Sequence, residues 1–158
     1  MTDEFYMRRA IELAKKGRGW TNPNPMVGAV IVKNGSIIGE GYHEKCGELH
    51  AERNAIASLT ESAEGATLYV TLEPCQMCSG AIVQSRMTRV VVGCMNPKAG
   101  CAGSILNLLQ MPQFNHQVEL TTGVLEEECS QMMKSFFKEL REARKKKKQL
   151  EKEQTGEI

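Results

Sequence analysis

Aromatic side chains make up only 5% of this chain, with a single Trp. Its core must therefore be aliphatic, and any aromatic stacking on a ligand has few candidates. No run of about eighteen apolar residues occurs, which excludes a membrane-spanning helix. Net charge is nearly absent too: the formal value is +1, so overall charge names no polyanionic partner. The N-terminal MTDEFYMRRAIELAKKG lacks the apolar stretch of a secretory signal, and the expected location is the cytoplasm. In that reducing compartment the six cysteines are expected as ligands or core residues rather than disulfides. Histidine is scarce as well: only His43, His50 and His116 are present, so a His inside a spaced motif carries weight.

What is present fits one domain of 158 residues. Apolar periodicity predicts a helix over 3–16, with Tyr6, Ala10, Leu13 and Ala14 on one face. The Pro-punctuated loop RGWTNPNP follows at 18–25. MVGAVIV (26–32) and SIIGEGY (36–42) flank Asn34-Gly35, a hairpin signal. A helix is expected over 50–60, a strand over 66–72, a helix over 76–86, a strand over 88–94 and a last strand over 117–122. The strand–helix–strand run implies a parallel unit. Leu125, Cys129, Met132, Met133, Phe136, Phe137 and Leu140 recur at helical spacing, and charge is acidic at the start and basic toward the end, RKKKK at 144–148. The whole reads as a three-layer α/β/α domain over 1–148 around a mixed sheet of about five strands. Residues 149–158 read as a polar, disordered tail.

LHAERNAI (49–56) and TLEPCQMCSG (71–80) carry the chemistry. His50 opens one predicted helix, and Cys75 and Cys78 open another. One imidazole and two thiolates suit zinc, expected at one ion per chain. Helix N-termini favour thiolates, and residues i and i+3 share a face. Three ligands leave a fourth position for water, which zinc acidifies. Glu52, two residues past His50, can move protons between that water and a leaving amine. A fourth ligand from His43, Cys46 or Cys101 would instead close the site as a structural one.

His-x-Glu followed by Pro-Cys-x-x-Cys resembles the signature of zinc nucleobase deaminases. From about residue 66 on, ATLYVTLEPCQMCSGAIVQSRMTRVVVG, KAGCAGSILNLLQ and GVLEEECSQMMKSFFKELR resemble the bacterial tRNA adenosine deaminases. That resemblance implies the cytidine-deaminase-like fold, conversion of adenosine to inosine in a tRNA anticodon loop or other single strand, and a homodimer. Residues 1–65 differ: TNPNPMVGAVIVKNG, GEGYH and CGELHAE resemble the pyrimidine deaminase of riboflavin biosynthesis. The longer insert that enzyme carries between its zinc cysteines is missing from Cys75-Gln-Met-Cys78. A divergent natural chain and a fusion joined near ATLYVTLEPC both account for the split.

The resemblance implies five substrate contacts. Asn24 would touch the substrate as in the riboflavin family; as a residue before Pro it equally reads as part of a turn. His43 stands where the tRNA deaminases usually have Asn, lining the pocket or solvated in a loop. Phe136 and Phe137 point about 100° apart on a helix, so one could stack on a base while the other packs. Asn96 replaces the Asp usual in both families; it could weaken discrimination against deoxyribose, and single-stranded DNA would then be a substrate, or it could cap the turn before Pro97. Two other functions remain open: deamination of a small pyrimidine or purine nucleotide, and a non-catalytic zinc module that binds nucleic acid.

Overall fold

Asn34 and Gly35 take the left-handed φ values of 51° and 76° that a two-residue hairpin needs, and the turn pairs Lys33 with Ser36. In the computed structural model, which describes residues 1–156, this hairpin joins β1 (Gly28–Lys33) to β2 (Ser36–Tyr42) at one edge of the sheet. On its other side β1 pairs antiparallel with β3 (Thr67–Leu72). Then β4 (Arg89–Cys94) and β5 (Glu119–Thr122) run parallel to β3. The order is β2-β1-β3-β4-β5, the mixed five-stranded sheet expected from the sequence.

Because β1, β3 and β4 are central, both of their faces are apolar and covered. On one face Ala29, Ile31, Leu68, Val70, Val90 and Val92 pack against α2 (Ala51–Ala57) and α3 (Gln76–Gln84). On the other, Val30, Tyr69 and Val91 pack against α1 (Asp3–Lys15) and α4 (Glu126–Thr155). Each fully buried aliphatic side chain contributes about 1.5–3 kcal/mol, so this doubly covered sheet is the rigid platform for the site. Gly41 brings α2 close to β2: a Cβ there would overlap the backbone of Ala51 and Ala55. That approach sets the depth of the helix that begins beside His50.

Several element ends lie one to three residues from the expected ones, and three of the departures have a visible cause. Helix α2 stops at Ala57 because the Ser58 hydroxyl bonds the carbonyls of Ala55 and Glu40 and accepts the Glu40 N–H, each at 2.9 Å. Strand β5 starts at Glu119, since Gln117 donates to the Met111 and Phe114 carbonyls and the Val118 N–H to Leu109. Helix α4 continues to Thr155, into the stretch expected as a disordered tail from residue 149. Every side chain from Arg141 to Gly156 is exposed, so no packing holds that end. Its Lys, Glu, Gln and Leu residues are strong helix formers, and Glu142–Lys146 and Lys147–Glu151 stand at i,i+4 spacing. Residues 157–158 of the expected tail lie outside the described residues. Among the described residues no helix is long and apolar enough to cross a membrane.

Candidate metal centre and base pocket

Parallel strands deliver loops to one end of the sheet, and the two motifs meet there. His50 caps the start of α2 in extended conformation, and Cys75 does the same for α3. His50 turns Nδ1 toward both sulfurs, 3.7 Å from Cys75 Sγ and 3.4 Å from Cys78 Sγ. A tetrahedral ion with zinc–sulfur and zinc–nitrogen bonds of ordinary length needs sulfur–nitrogen separations of about 3.5 Å. The donor set therefore fits zinc. Among the described residues, no other His, Cys, Asp or Glu belongs to this cluster, so the candidate fourth ligands His43, Cys46 and Cys101 stand outside it.

The thiols are electrostatically prepared. Hydrogen bonding from the Cys78 thiol pulls Cys75 down to about 5, against the opposing effect of burial, and N–H groups at the start of α3 act in the same direction. Cys78, fully buried and sharing its proton with Cys75, moves up. Cys94 and Cys129 are buried in the core, and burial pushes their thiols up to about 11 and about 12.

Glu52, on the first turn of α2, is 4% exposed and faces the same cluster. Burial raises its carboxyl to about 7, with the neighbouring Cys75 adding to the rise. A carboxyl poised near neutrality suits proton transfer in both directions.

A cavity of about 160 Å³ opens onto this centre. Three of the five expected substrate contacts line it together with His50, Glu52 and Cys75: Asn24, His43 and Asn96. His43 is buried, and its Nδ1–H donates to the Leu49 carbonyl at 3.0 Å. Its Nε2 then faces the Asn24 amide at 3.4 Å. Asn54 ties this loop to α2, donating to the carbonyls of Tyr42 at 2.9 Å and Leu49 at 3.3 Å. Asn96 does close a turn, its Oδ1 accepting the Lys98 N–H at 3.3 Å, yet it also lines the cavity.

Phe136 and Phe137 are not among the cavity's lining residues. Phe136 is buried in the core beneath α4, in contact with the α1 side of the sheet, which removes it as a stacking surface. Phe137 is 37% exposed on α4 and meets Phe136 edge to face. Glu73, which belongs to neither spaced motif, is a further buried acidic side chain that lines the cavity. Its signal was available: a charged residue directly after the apolar strand LYVTL needs a buried partner.

A His–Cys–Cys donor set that fits zinc, a buried Glu facing it and a small pocket are the parts that a hydrolytic deaminase requires. The profile of the cytidine and deoxycytidylate deaminase zinc-binding region matches residues 1–94. The tRNA-specific adenosine deaminase of Bacillus subtilis (strain 168) is 49% identical over 152 residues, 90% of this chain and 93% of that protein. Riboflavin biosynthesis protein RibD of Actinobacillus pleuropneumoniae is 50% identical over 143 residues, 87% of this chain and 37% of its own length. The crystal structure of a diaminohydroxyphosphoribosylaminopyrimidine deaminase/5-amino-6-(5-phosphoribosylamino)uracil reductase from Thermotoga maritima superposes with a TM-score of 0.74 at 45% identity, covering 85% of this chain and 40% of that one. The chain thus spans less than half of these two riboflavin-pathway proteins. It belongs to the cytidine and deoxycytidylate deaminase family of zinc-binding hydrolases.

Proposed function

We propose that this chain deaminates adenosine to inosine within single-stranded nucleic acid, with a tRNA anticodon loop as the physiological substrate. The observation that carries the reading is the charged face of α4. Lys134, Lys138, Arg141, Lys145, Lys148 and Lys152 follow one another at spacings of four and three, so they share one exposed helix face. That face is about 27 Å long and continues past Leu140, the last residue of α4 packed on the core. The cavity itself, small enough for one base, is lined by no Lys or Arg, so a substrate's phosphate has no cationic partner inside it. A base held in the pocket with its backbone tracked from outside satisfies both facts. Bound zinc would offer its Lewis acidity to water at neutral pH. Glu52 would take a proton from that water and pass it to the ring nitrogen, then take the water's second proton once its oxygen is bonded to the base and pass it to the amine, which leaves as ammonia. Asn24, His43 and Asn96 would hold the base, and Phe137, the exposed member of its pair, would meet a flanking nucleotide. On this reading the chain works in the cytoplasm as a homodimer, for which the exposed Met77, Ile105 and Leu106 offer apolar surface.

A second reading has one observation in its favour. Asn24 and His43 form a joined wall of the cavity, and both stand in the half that resembles the riboflavin pyrimidine deaminase. Incubation with tRNA, single-stranded DNA, nucleosides and riboflavin precursors, followed by mass analysis for exchange of amine by oxygen, separates the two. Inosine in tRNA supports the first reading; turnover of the precursor alone overturns it.

Deleting residues 142–158 should lower activity on polynucleotide and leave activity on a free nucleotide intact. It removes Lys145, Lys148 and Lys152 from the basic face, so the slope of log affinity against log salt should fall by about 2 for a single strand. An unchanged slope makes the helix end merely solvated.

Asn96 bears on the sugar. Its Oδ1 is occupied by the Lys98 N–H, which leaves Nδ2 to act as a donor, whereas an Asp could only accept. Asn96→Asp should therefore lower the ratio of DNA to RNA turnover, because a carboxylate rewards the 2′-OH donor. A ratio that stays the same reduces Asn96 to its turn.

A further inference from the structure

Glu73 ends strand β3 beside Pro74 and Cys75, is 3% exposed, and takes no part in the chemistry described above. All of its acceptor capacity is nonetheless used. Oε2 accepts the Asn96 N–H at 2.8 Å and the Ser104 hydroxyl at 2.6 Å. Oε1 accepts the N–H groups of Ala102 at 3.2 Å and Ser104 at 2.8 Å. Every donor comes from the loop between β4 and β5. Two backbone bonds run alongside, Glu73 N–H to the Cys94 carbonyl at 2.9 Å and Cys101 N–H to the Pro74 carbonyl at 2.8 Å. The loop is folded tightly around the carboxylate: the Gly100 N–H bonds the Asn96 carbonyl at 2.8 Å, and a Cβ on Gly100 would overlap Glu73.

The donors of this loop converge on a point that only a fully accepting group can fill. A carboxylate has no proton to offer and so can satisfy all four. An amide there must turn its NH2 toward either Asn96 or the Ala102–Ser104 pair, leaving buried N–H groups opposed and unpaired. The loop so held carries Asn96 and Ala99, one wall of the cavity, and the strand end that holds it leads directly into Cys75.

We propose that Glu73 is a positioning residue that clamps the Asn96–Ala99 wall of the pocket to the turn bearing Cys75, and so sets how tightly the base is held. The zinc ligands and Glu52 set the rate of the chemistry. This rests on the cavity being the substrate pocket, though not on which base enters it.

The test uses the full chain and whichever substrate of the panel is turned over. Glu73→Gln should keep zinc close to one equivalent, raise KM about tenfold or more, and leave kcat within about threefold, since an interaction lost equally from ground and transition states moves KM alone. Backbone amides of Asn96, Ala102 and Ser104 should exchange hydrogen at least about tenfold faster, with the amides of α2 and α3 unaffected. Because Glu73 acts through Asn96, the double variant Glu73→Gln/Asn96→Ala should have a KM no higher than Asn96→Ala alone. Should Glu73→Gln not fold, Ser104→Ala removes only the hydroxyl donor, and the same pattern should appear at about threefold in KM. Unchanged KM and exchange in the folded variant, additive effects in the double variant, or loss of zinc overturns the proposal. A parent chain inactive on the whole panel strikes the reading of function, while exchange and zinc content still decide the clamp.

Discussion

Glu52→Gln should bind zinc and keep its fold yet lose about 10²–10⁴-fold in turnover, the range by which positioned acid–base groups accelerate reactions. The substitution preserves the volume of a side chain that is 4% exposed, so packing is not what changes. What is lost is the ability to accept a proton and give it back. Glu52→Ala should lose as much, and the equality of the two separates proton transfer from shape. A rate within about tenfold of the parent in the Gln variant would contradict the role. The pH profile supplies an independent check. Burial raises the Glu52 carboxyl from 4.5 to about 7, so in the metal-free chain it is protonated below neutrality and cannot act as a base. Parent activity should therefore rise with pH along an acid limb; loading zinc adds a nearby positive charge and moves that limb lower. The limb should be missing from the residual activity of Glu52→Gln. Stability carries the opposite sign. The folded metal-free chain holds a proton that the unfolded chain releases near 4.5, so its stability should decline as pH rises from 4.5 to about 7. Glu52→Gln should flatten that decline, as urea titrations at several pH values would register.

Much of this site could be read before any coordinates because its parts are local. His50 and Glu52 sit two apart on one helix start, and Cys75 and Cys78 three apart on another; spacing alone orients each pair. Asn34-Gly35 fixed the hairpin for the same reason, since the turn is a property of its own two residues. What escaped was non-local or settled by docking. The bonds of Glu73 reach residues 23 to 31 positions away, and no periodicity reports them. The sequence puts Phe136 and Phe137 on different helix directions but not which one meets the sheet; packing of α4 on β4 and the α1 side decided for Phe136. The division of resemblance at residue 66 likewise has no counterpart in the fold, because β1 of the first part, paired with β2 on one side, pairs with β3 of the second part on the other. The last turns of α4 differ from expectation for another reason: a polar stretch without core contacts reads as a tail, yet its helix propensity is high throughout.

Cys75→Ala should bring zinc below half an equivalent per chain, against about one in the parent, when both are dialysed against a weak chelator and analysed for metal. Three donors converge here, and among the described residues the cluster holds no fourth that could take over. Cys46 is exposed on the loop near Asn24, with Asn24 Nδ2 3.7 Å from its sulfur, and Cys101 is engaged by Gln76 and the Ala99 carbonyl. The loss should exceed that of one contact among three, because Cys75, pulled down to about 5, is the thiol that gives up its proton more readily. Its hydrogen bond, the larger cause of the rise at Cys78, goes with the substitution, yet burial still disfavours the Cys78 thiolate. Activity should vanish with the metal, and added zinc should restore little of it. Cys101→Ala is the matched control: a buried cysteine outside the cluster, whose removal should leave zinc near one equivalent. Full zinc in Cys75→Ala would mean that another donor closes the site, and with a closed site the open position on which a deaminase depends would be gone.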